Sequence, residues 1–239
     1  MNIRVLSEEM KKAGFIKKGR AFFRTQGENI LVTVRLEREP GYLFRMREAL
    51  CFGLESLYSE LSAFELTGKG CVARYPVMLL REENISAAQT KEFVLDDIYN
   101  MDAEEYELLM NTVLPFLSHI QTQKELVLCM RYLEEIEYGK ESPLGMEKYA
   151  PLLYLEEYDA AWMIIKNYLC QWNIPELIWE DKDAVLSCAK KERDRETLLR
   201  LYSCAELAVR EDRAQCLQYL NHNLERNLSN LQHKRDGSH

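Results

Sequence analysis

The spacing of hydrophobic positions near the start of the chain changes from a helical pattern to an alternating one at Gly14. Leu6, Met10 and Ala13 lie three or four residues apart, which predicts one apolar face of a helix. A glycine directly after such a run typically ends the helix, because it adopts a positive φ without a Cβ clash. The sequence therefore predicts a helix that ends at Gly14 and leads into extended chain.

Two strands joined by a tight turn are predicted after this helix. Residues 16–25 are predicted as one strand with partly regular alternation. A second strand is predicted from Ile30, Val32, Val34 and Leu36, which alternate with more polar neighbours and indicate one buried face. The four residues between the strands include a glycine and an asparagine, which is the composition of a hairpin turn.

Two further segments extend the predicted sheet to about residue 80. Residues 49–58 form an apolar run around Gly53, which favours a strand with a bulge, and a helix over residues 48–61 is the alternative. Residues 71–80 form another apolar run. Pro76 lies within it and cannot donate a ladder hydrogen bond, so we expect this strand to lie at a sheet edge or to break there.

Helical spacing replaces the alternation in the second part of the chain. Asp102 and Glu105 have the spacing of a capping box, and Thr122 and Glu125 form a second one. Each box precedes an apolar run with a period of three to four residues, which predicts a helix. Pro115 lies inside the first of these runs and is expected to kink or restart that helix.

The segment from Gly139 to Gly145 contains a proline and is the clearest linker in the chain. We therefore predict an α+β fold with an N-terminal helix on a small antiparallel sheet, followed by an α-helical C-terminal region. The predicted divisions are an α+β domain over residues 1–138, a linker over residues 139–147 and a helical domain or extension over residues 148–239.

The last predicted helix carries a narrow leucine stripe close to heptad spacing: Leu217, Leu220, Leu224, Leu228 and Leu231. The stripe is expected to pack on a preceding helix of the same chain. A homodimer seam is the alternative.

Charge and composition narrow the classes of partner. The net charge is −8, with 47% hydrophobic and 29% charged residues, as in ordinary globular proteins. Residues 1–50 carry eleven Lys or Arg and six Asp or Glu, a balance of +5, so the remaining 189 residues carry −13. This acidic balance disfavours nucleic acid as the main partner. No apolar run approaches the roughly 18 residues of a membrane span, so we expect no membrane partner.

Seven cysteines are dispersed along the chain without a CxxC pair, and the N-terminal residues lack the apolar region of a signal peptide. An odd, scattered set of this kind is typical of reduced thiols, and we expect a cytoplasmic protein. Neither the cysteines nor the histidines have zinc-ligand spacing, and no glycine-rich turn fits a phosphate. We therefore predict no metal, no cofactor and no catalytic residues.

The order of glycine, lysine and aromatic positions in residues 14–24 resembles the bacterial domain-of-unknown-function family 4304. The extended Ile30–Leu36 strand, the 49–58 segment and the helical run 113–117 belong to the same resemblance, which covers about residues 1–137. Arg35 and Glu37 stand where such domains tend to have a polar amide late in the second strand. The resemblance implies an α+β domain, no assigned activity and no functional residues.

One surface cluster is a candidate binding site, because arginine beside an aromatic side chain is typical of protein-binding hot spots. Its residues lie on the predicted hairpin: Lys17, Lys18, Arg20, Phe22, Arg24 and Arg35. The alternative is that the phenylalanine belongs to the core and the basic residues form a solvated sheet face.

The function expected from these features is that of a non-enzymatic bacterial protein-binding module, of immunity type or regulatory, with a protein partner. Two alternatives stay open at the sequence level. One is an enzyme of unrecognised type with a pocket between sheet and helices, and the other is a self-associating structural protein that uses the leucine stripe.

Overall fold

The structure is a computed structural model that describes residues 3–19, 21–40, 46–60, 73–76, 80, 103–138, 145–179 and 181–236. It confirms the α+β fold, with a helix on an antiparallel sheet followed by a helical region. Three features predicted from sequence lie outside the described residues: Arg20, the Asp102 cap and most of the linker, residues 139–144.

Helix α1 (Ile3–Lys12) precedes five strands, namely β1 (Ile16–Lys18), β2 (Ala21–Gln26), β3 (Ile30–Pro40), β4 (Met46–Ser56) and β5 (Ala73–Pro76). The strands pair antiparallel in their chain order, so residues 49–56 are strand rather than helix. In the described sheet β5, which contains Pro76, is an edge strand, as predicted. The prediction of one continuous strand over residues 16–25 is wrong, because Gly19 turns the chain at a φ of 59° and pairs Ile16 with Phe23.

The helices of the described part follow in chain order: α2 (Ala103–Leu108), α3 (Leu114–Ser118), α4 (Gln123–Tyr138), α5 (Tyr149–Tyr154), α6 (Tyr158–Gln171), α7 (Lys182–Ser187), α8 (Glu192–Arg210) and α9 (Arg213–Asp236). A π-helical turn, Leu109–Val113, joins α2 to α3, whose second residue is Pro115. Because proline lacks the N–H that would continue the regular ladder, the restart predicted at this position occurs as a change of helical pitch. A short 3₁₀ turn, Met146–Lys148, leads into α5, and a second one, Glu176–Ile178, follows α6.

Both faces of the sheet are buried at its centre. On one face Phe22 and Val32 pack with Leu6 of α1 and Met130 of α4. The sequence predicted one buried face for β3, yet Leu31 on the other face is also fully buried. On this second face Leu31 and Phe23 pack against Leu57, which follows β4, and against Leu231 of α9.

A second hydrophobic core lies among the C-terminal helices, with Leu152, Ile165, Leu201 and Leu220 at its centre. Leu220 and Leu231 of the leucine stripe are therefore buried within their own chain, whereas Leu228 is 38% exposed. The domain boundaries and the homodimer alternative stay predictions.

The β2–β3 turn interlocks with the connection between α3 and α4. Gln26 donates through Nε2 to the carbonyls of Leu117 (2.6 Å) and Ile120 (2.7 Å), and the N–H of Glu28 donates to the carbonyl of Gln121 (2.7 Å). Gly27 makes this close approach feasible, since a Cβ there would overlap the backbone of Gln121. The hairpin predicted at this turn is thus also a docking point for the helices.

The capping box predicted at Thr122 is present at the start of α4. The N–H groups of Gln121 and Thr122 donate to Oε2 of Glu125 at 2.8 and 2.9 Å, and the N–H of Glu125 donates to the Thr122 hydroxyl at 3.2 Å. These bonds from Gln121 and Thr122 hold the pKa of Glu125 below its ordinary value. The same connection therefore carries both the docked turn and the helix cap.

Replacing Gly27 by alanine is expected to lower the free energy of unfolding by about 3 kcal/mol, because a positive φ and an overlap with Gln121 combine. Gly14→Ala is the matched control, since Gly14 has a φ of 81° but open space around the Cβ position. It should cost only about 1 kcal/mol. Equal losses in urea denaturation would show that the contact with Gln121 has no energetic role.

Glu125→Gln is expected to lower stability at neutral pH, because the ionised carboxylate accepts the cap hydrogen bonds most strongly. The pKa of Glu125 is lower in the folded state than in the unfolded state. The extra stability of the wild type over Glu125→Gln is therefore complete above the pKa of the unfolded state, and it disappears as the pH falls through the pKa of the folded state. Urea denaturation of both proteins from about pH 7 to pH 3 measures this difference. Glu225→Gln, an exposed change on α9, is the control, and a pH-independent effect of Glu125→Gln would contradict the cap assignment.

Candidate functional site

The turn that follows β4, residues 57–60, is held in place by α9. Asn223 donates through Nδ2 to the carbonyl of Tyr58 (3.1 Å), and Asn227 donates to the carbonyls of Leu57 (2.7 Å) and Ser59 (3.0 Å). Both amides are 1% exposed. Because buried carbonyls need donors, these side chains fix the path of the turn over the helical core.

The turn forms one wall of a cavity of about 120 Å³ between the end of the sheet and the C-terminal helices. The residues lining the cavity come from the turn, from the 3₁₀ turn Met146–Lys148, from α5, α8 and α9, and from α6 with the residue that follows it: Ser59, Glu60, Met146, Tyr149, Ala150, Tyr168, Trp172, Thr197, Arg200, Leu201 and Tyr219. Four of these side chains are aromatic, so the walls are mainly apolar with a few polar atoms. This is the composition of a binding pocket on a small scale.

Two of the tyrosines that line the cavity are held by hydrogen bonds to Cys204 of α8. Tyr149 donates its hydroxyl to the carbonyl of Cys204 at 2.6 Å, and the hydroxyl of Tyr219 lies 3.9 Å from the Cys204 sulfur. The two rings meet edge to face at 6.5 Å. Burial raises the pKa of both tyrosines, and it raises the pKa of Cys204 to about 12. All three groups are therefore neutral at pH 7, which suits binding and not nucleophilic attack.

Ser59 and the ion pair between Arg200 and Glu60 are further polar residues that line the cavity. Ser59 is 3% exposed, and its hydroxyl has no hydrogen-bond partner among the described residues. Arg200 and Glu60 face each other with Nε and Oε2 3.7 Å apart, and the side chain of Arg200 is half exposed. The residues that line the cavity thus include one serine with a buried, unsatisfied hydroxyl and one partly exposed ion pair.

A buried group of charges adjoins the cavity, since Glu147 and Lys148 stand in sequence between its wall residues Met146 and Tyr149. The fully buried Lys148 ammonium bonds to Glu134 of α4 and lies 3.2 Å from Glu147. Loss of one partner from a buried pair leaves an uncompensated charge, so this cluster ties the 3₁₀ turn to α4.

Glu55 of β4 is a further buried acid near this cluster. Burial, together with the charge of Glu147, raises the pKa of Glu55 well above its ordinary value. One of its carboxylate oxygens has no partner among the described residues. Glu55 therefore favours its neutral form in the folded protein.

A second, more open concavity of about 420 Å³ lies at the start of α6 and is lined by Glu156, Glu157, Tyr158, Asp159, Ala160 and Glu211. Two of its carboxylates are paired, Glu156 with Arg213 and Glu157 with Arg131. Exposed pairs of this kind contribute little energy and remain solvated. The concavity is therefore a weaker candidate than the aromatic cavity.

The described residues of the basic cluster predicted from the sequence lie in different environments in the structure. Phe22 is 1% exposed and lies in the main core, as the alternative interpretation held. Lys17 is exposed, donates to the hydroxyl of Ser7 at 2.8 Å and lies 5.7 Å from the centre of the Phe22 ring. Its ammonium thus covers the edge of the core while it contacts solvent.

The other members of the cluster lie at separate positions. Arg24 donates to the carbonyl of Ala13 at 2.9 Å and stacks over the Phe15 ring at 4.7 Å, so it joins the end of α1 to the sheet. Arg35 is half-buried on β3, and Lys18 ends β1. Binding through these residues stays a prediction, and the aromatic cavity is formed by other parts of the chain.

Within the described residues, no group of three or more histidine, cysteine, aspartate or glutamate side chains is arranged to hold a metal ion. No helix in the same part of the chain combines the length and the apolarity needed to cross a membrane. Comparisons with protein-family models, curated proteins and solved structures gave no match to this chain. The resemblance to family 4304 stays a prediction from the sequence.

Asn227→Ala is expected to lower the free energy of unfolding by about 3 kcal/mol, because it leaves the buried carbonyls of Leu57 and Ser59 without a donor. Asn221→Ala, an exposed change on the same helix, should stay within about 0.5 kcal/mol of the wild type. Urea denaturation of the two variants measures the difference. If both variants match the wild type, α9 does not hold the turn.

Proposed function

We propose that this chain is a non-enzymatic protein-binding module and that the aromatic cavity receives a side chain of its partner. The observation that carries the proposal is the cavity itself, which has room for one side chain and is lined by tyrosine, tryptophan and arginine. These three residue types are enriched in the hot spots of protein interfaces. Binding energy at such interfaces is concentrated where one anchor fills a desolvated pocket.

The ionisation of the wall residues supports binding over catalysis. An acid, base or nucleophile that works at neutral pH needs a pKa near 7, or a lowered one. Burial instead raises the pKa of Cys204 and of the two tyrosines beside it, Tyr149 and Tyr219. Arg200 already faces Glu60, which leaves the pair suited to orienting a partner.

Masking a partner, as an immunity protein or a regulator does, requires only binding of this kind. The proposal includes a bacterial cytoplasmic location. Free thiols support it, both buried (Cys204, Cys216) and exposed (Cys170, Cys188).

The test blocks the cavity and leaves the rest of the surface unchanged. Thr197→Trp puts a large ring into the cavity from α8, and Glu196→Trp puts the same ring on the exposed face one residue earlier. Immobilised wild type, Thr197→Trp and Glu196→Trp are each exposed to a lysate of the cells that make the protein, and the retained proteins are quantified. We expect a protein held by the wild type and by Glu196→Trp, and reduced at least about tenfold by Thr197→Trp.

Thermal unfolding of all three proteins shows that they are folded. Equal retention of every captured protein by the two tryptophan variants would contradict the assignment of the cavity as the binding site. Retention of no protein by the wild type would contradict the proposal as a whole.

A further inference from the structure

A cluster of ionisable side chains lies where the sheet meets the C-terminal helices. Three elements supply its members: Glu55 from β4, Glu134 from α4, and Glu147 and Lys148 from the 3₁₀ turn Met146–Lys148. Strand β4 contacts both α4 and the turn. Helix α4 belongs to both hydrophobic cores, since Met130 packs in the first and Val127 in the second. The cluster therefore stands at the junction of the two cores.

The cluster contains more acid than base. Lys148 is fully buried, and its ammonium bonds to Glu134 and lies 3.2 Å from Oε1 of Glu147, so two carboxylates share one cation. Glu55 is 2% exposed, one of its oxygens has no partner among the described residues, and Glu147 acts on it as a like charge. Ionisation of Glu55 would add a further negative charge at a buried place, which is costly without a cation or donor to compensate it.

This cost gives the stability of the junction a defined dependence on pH. Burial, with a contribution from Glu147, raises the pKa of Glu55 well above its ordinary value of 4.5. Burial also raises the pKa of Glu134 and outweighs the ammonium of Lys148, which lowers it. A carboxyl of this kind keeps its proton in the folded protein at a pH where the unfolded chain has lost it. Stability is therefore lost as the pH rises from the pKa of the unfolded state towards that of the folded state.

The 3₁₀ turn is the element that can give way when Glu55 ionises. Strand β4 pairs with β3 along its whole length, Met46–Ser56. The turn has only three residues and no side-chain cap, and the N–H of Lys148 donates to the carbonyl of Gly145 at 3.1 Å. Local opening begins where the fewest hydrogen bonds must break. Opening of the turn would let water reach Glu55 while the strand stays paired.

We propose that the charge cluster is a pH-sensitive latch, which holds the turn Met146–Lys148 on β4 while Glu55 carries a proton and releases the turn when Glu55 ionises. Release also frees Met146, which lines the aromatic cavity. The latch operates within this chain and needs no partner, so it does not depend on the proposed function.

Glu55→Gln tests the latch, because the amide has the shape of the protonated acid and cannot ionise. Urea denaturation of both proteins is followed from about pH 5 to about pH 9. Between the pKa values of the unfolded and folded states, the unfolding constant of the wild type should rise about tenfold per pH unit relative to that of Glu55→Gln. The exposed change Glu225→Gln is the control and should follow the wild type. Parallel profiles of the wild type and Glu55→Gln would overturn the inference.

Hydrogen exchange separates opening of the turn from unfolding of the whole chain. The reporters are the amides of Lys148 and Tyr149, which donate to the carbonyls of Gly145 and Met146. In the wild type we expect these amides to be less protected than those of β3, and their protection to fall with rising pH relative to Glu55→Gln. Protection equal to that of β3, or the same pH dependence in both proteins, would show that the turn does not open separately and would contradict the latch.

A second variant keeps the test decisive if Glu55→Gln does not fold. Glu55→Met is apolar and of similar length, and it serves the same comparisons. Carboxyl titration of protein labelled with ¹³C-glutamate adds a direct readout by NMR. The wild type should contain a carboxyl that keeps its proton above the range of the exposed glutamates, and Glu55→Met should lack it. Titration of every wild-type glutamate in the ordinary range would overturn the proposal.

Discussion

The hydrogen bonds between the side-chain amides of α9 and the turn after β4 are the constraint on which the arrangement of sheet and helices depends. Three backbone carbonyls of the turn can be buried only because Asn223 and Asn227 donate hydrogen bonds to them, namely those of Leu57, Tyr58 and Ser59. The helix that supplies these donors also covers the second face of the sheet through Leu231 and lines the cavity through Tyr219. A single helix therefore closes the sheet, fixes the turn and completes the candidate site.

Features that depend on residues close in sequence could be predicted without the structure. The Thr122 capping box needs only residues three positions apart, and it is present with both of its reciprocal hydrogen bonds. The turn at Gly27 and the change of helical pitch before Pro115 follow from the backbone restrictions of glycine and proline. The α+β class followed from the change in hydrophobic period between the two parts of the chain.

Features that depend on distant residues could not be predicted in the same way. The burial of Leu31 requires Leu231, and the path of the turn requires amides that lie 165 to 170 residues further along the chain. The sequence did contain one signal, since two asparagines four residues apart within a leucine stripe indicate a polar group on a buried helix face. The unsatisfied hydroxyl of Ser59 had no such signal, because serine in a turn is ordinary.

The N-terminal sheet is covered by α9, which is translated much later, and this affects how the chain folds during synthesis on the ribosome. Phe23 and Leu31 are made long before Leu231, their contact across the second sheet face. At about 5–20 residues per second, that face stays open to water for on the order of 10–40 seconds while the intervening chain is translated. A nascent sheet with an uncovered apolar face is a target for chaperones and for aggregation. A growing chain therefore reaches the native arrangement of the sheet only after residue 231 has been translated.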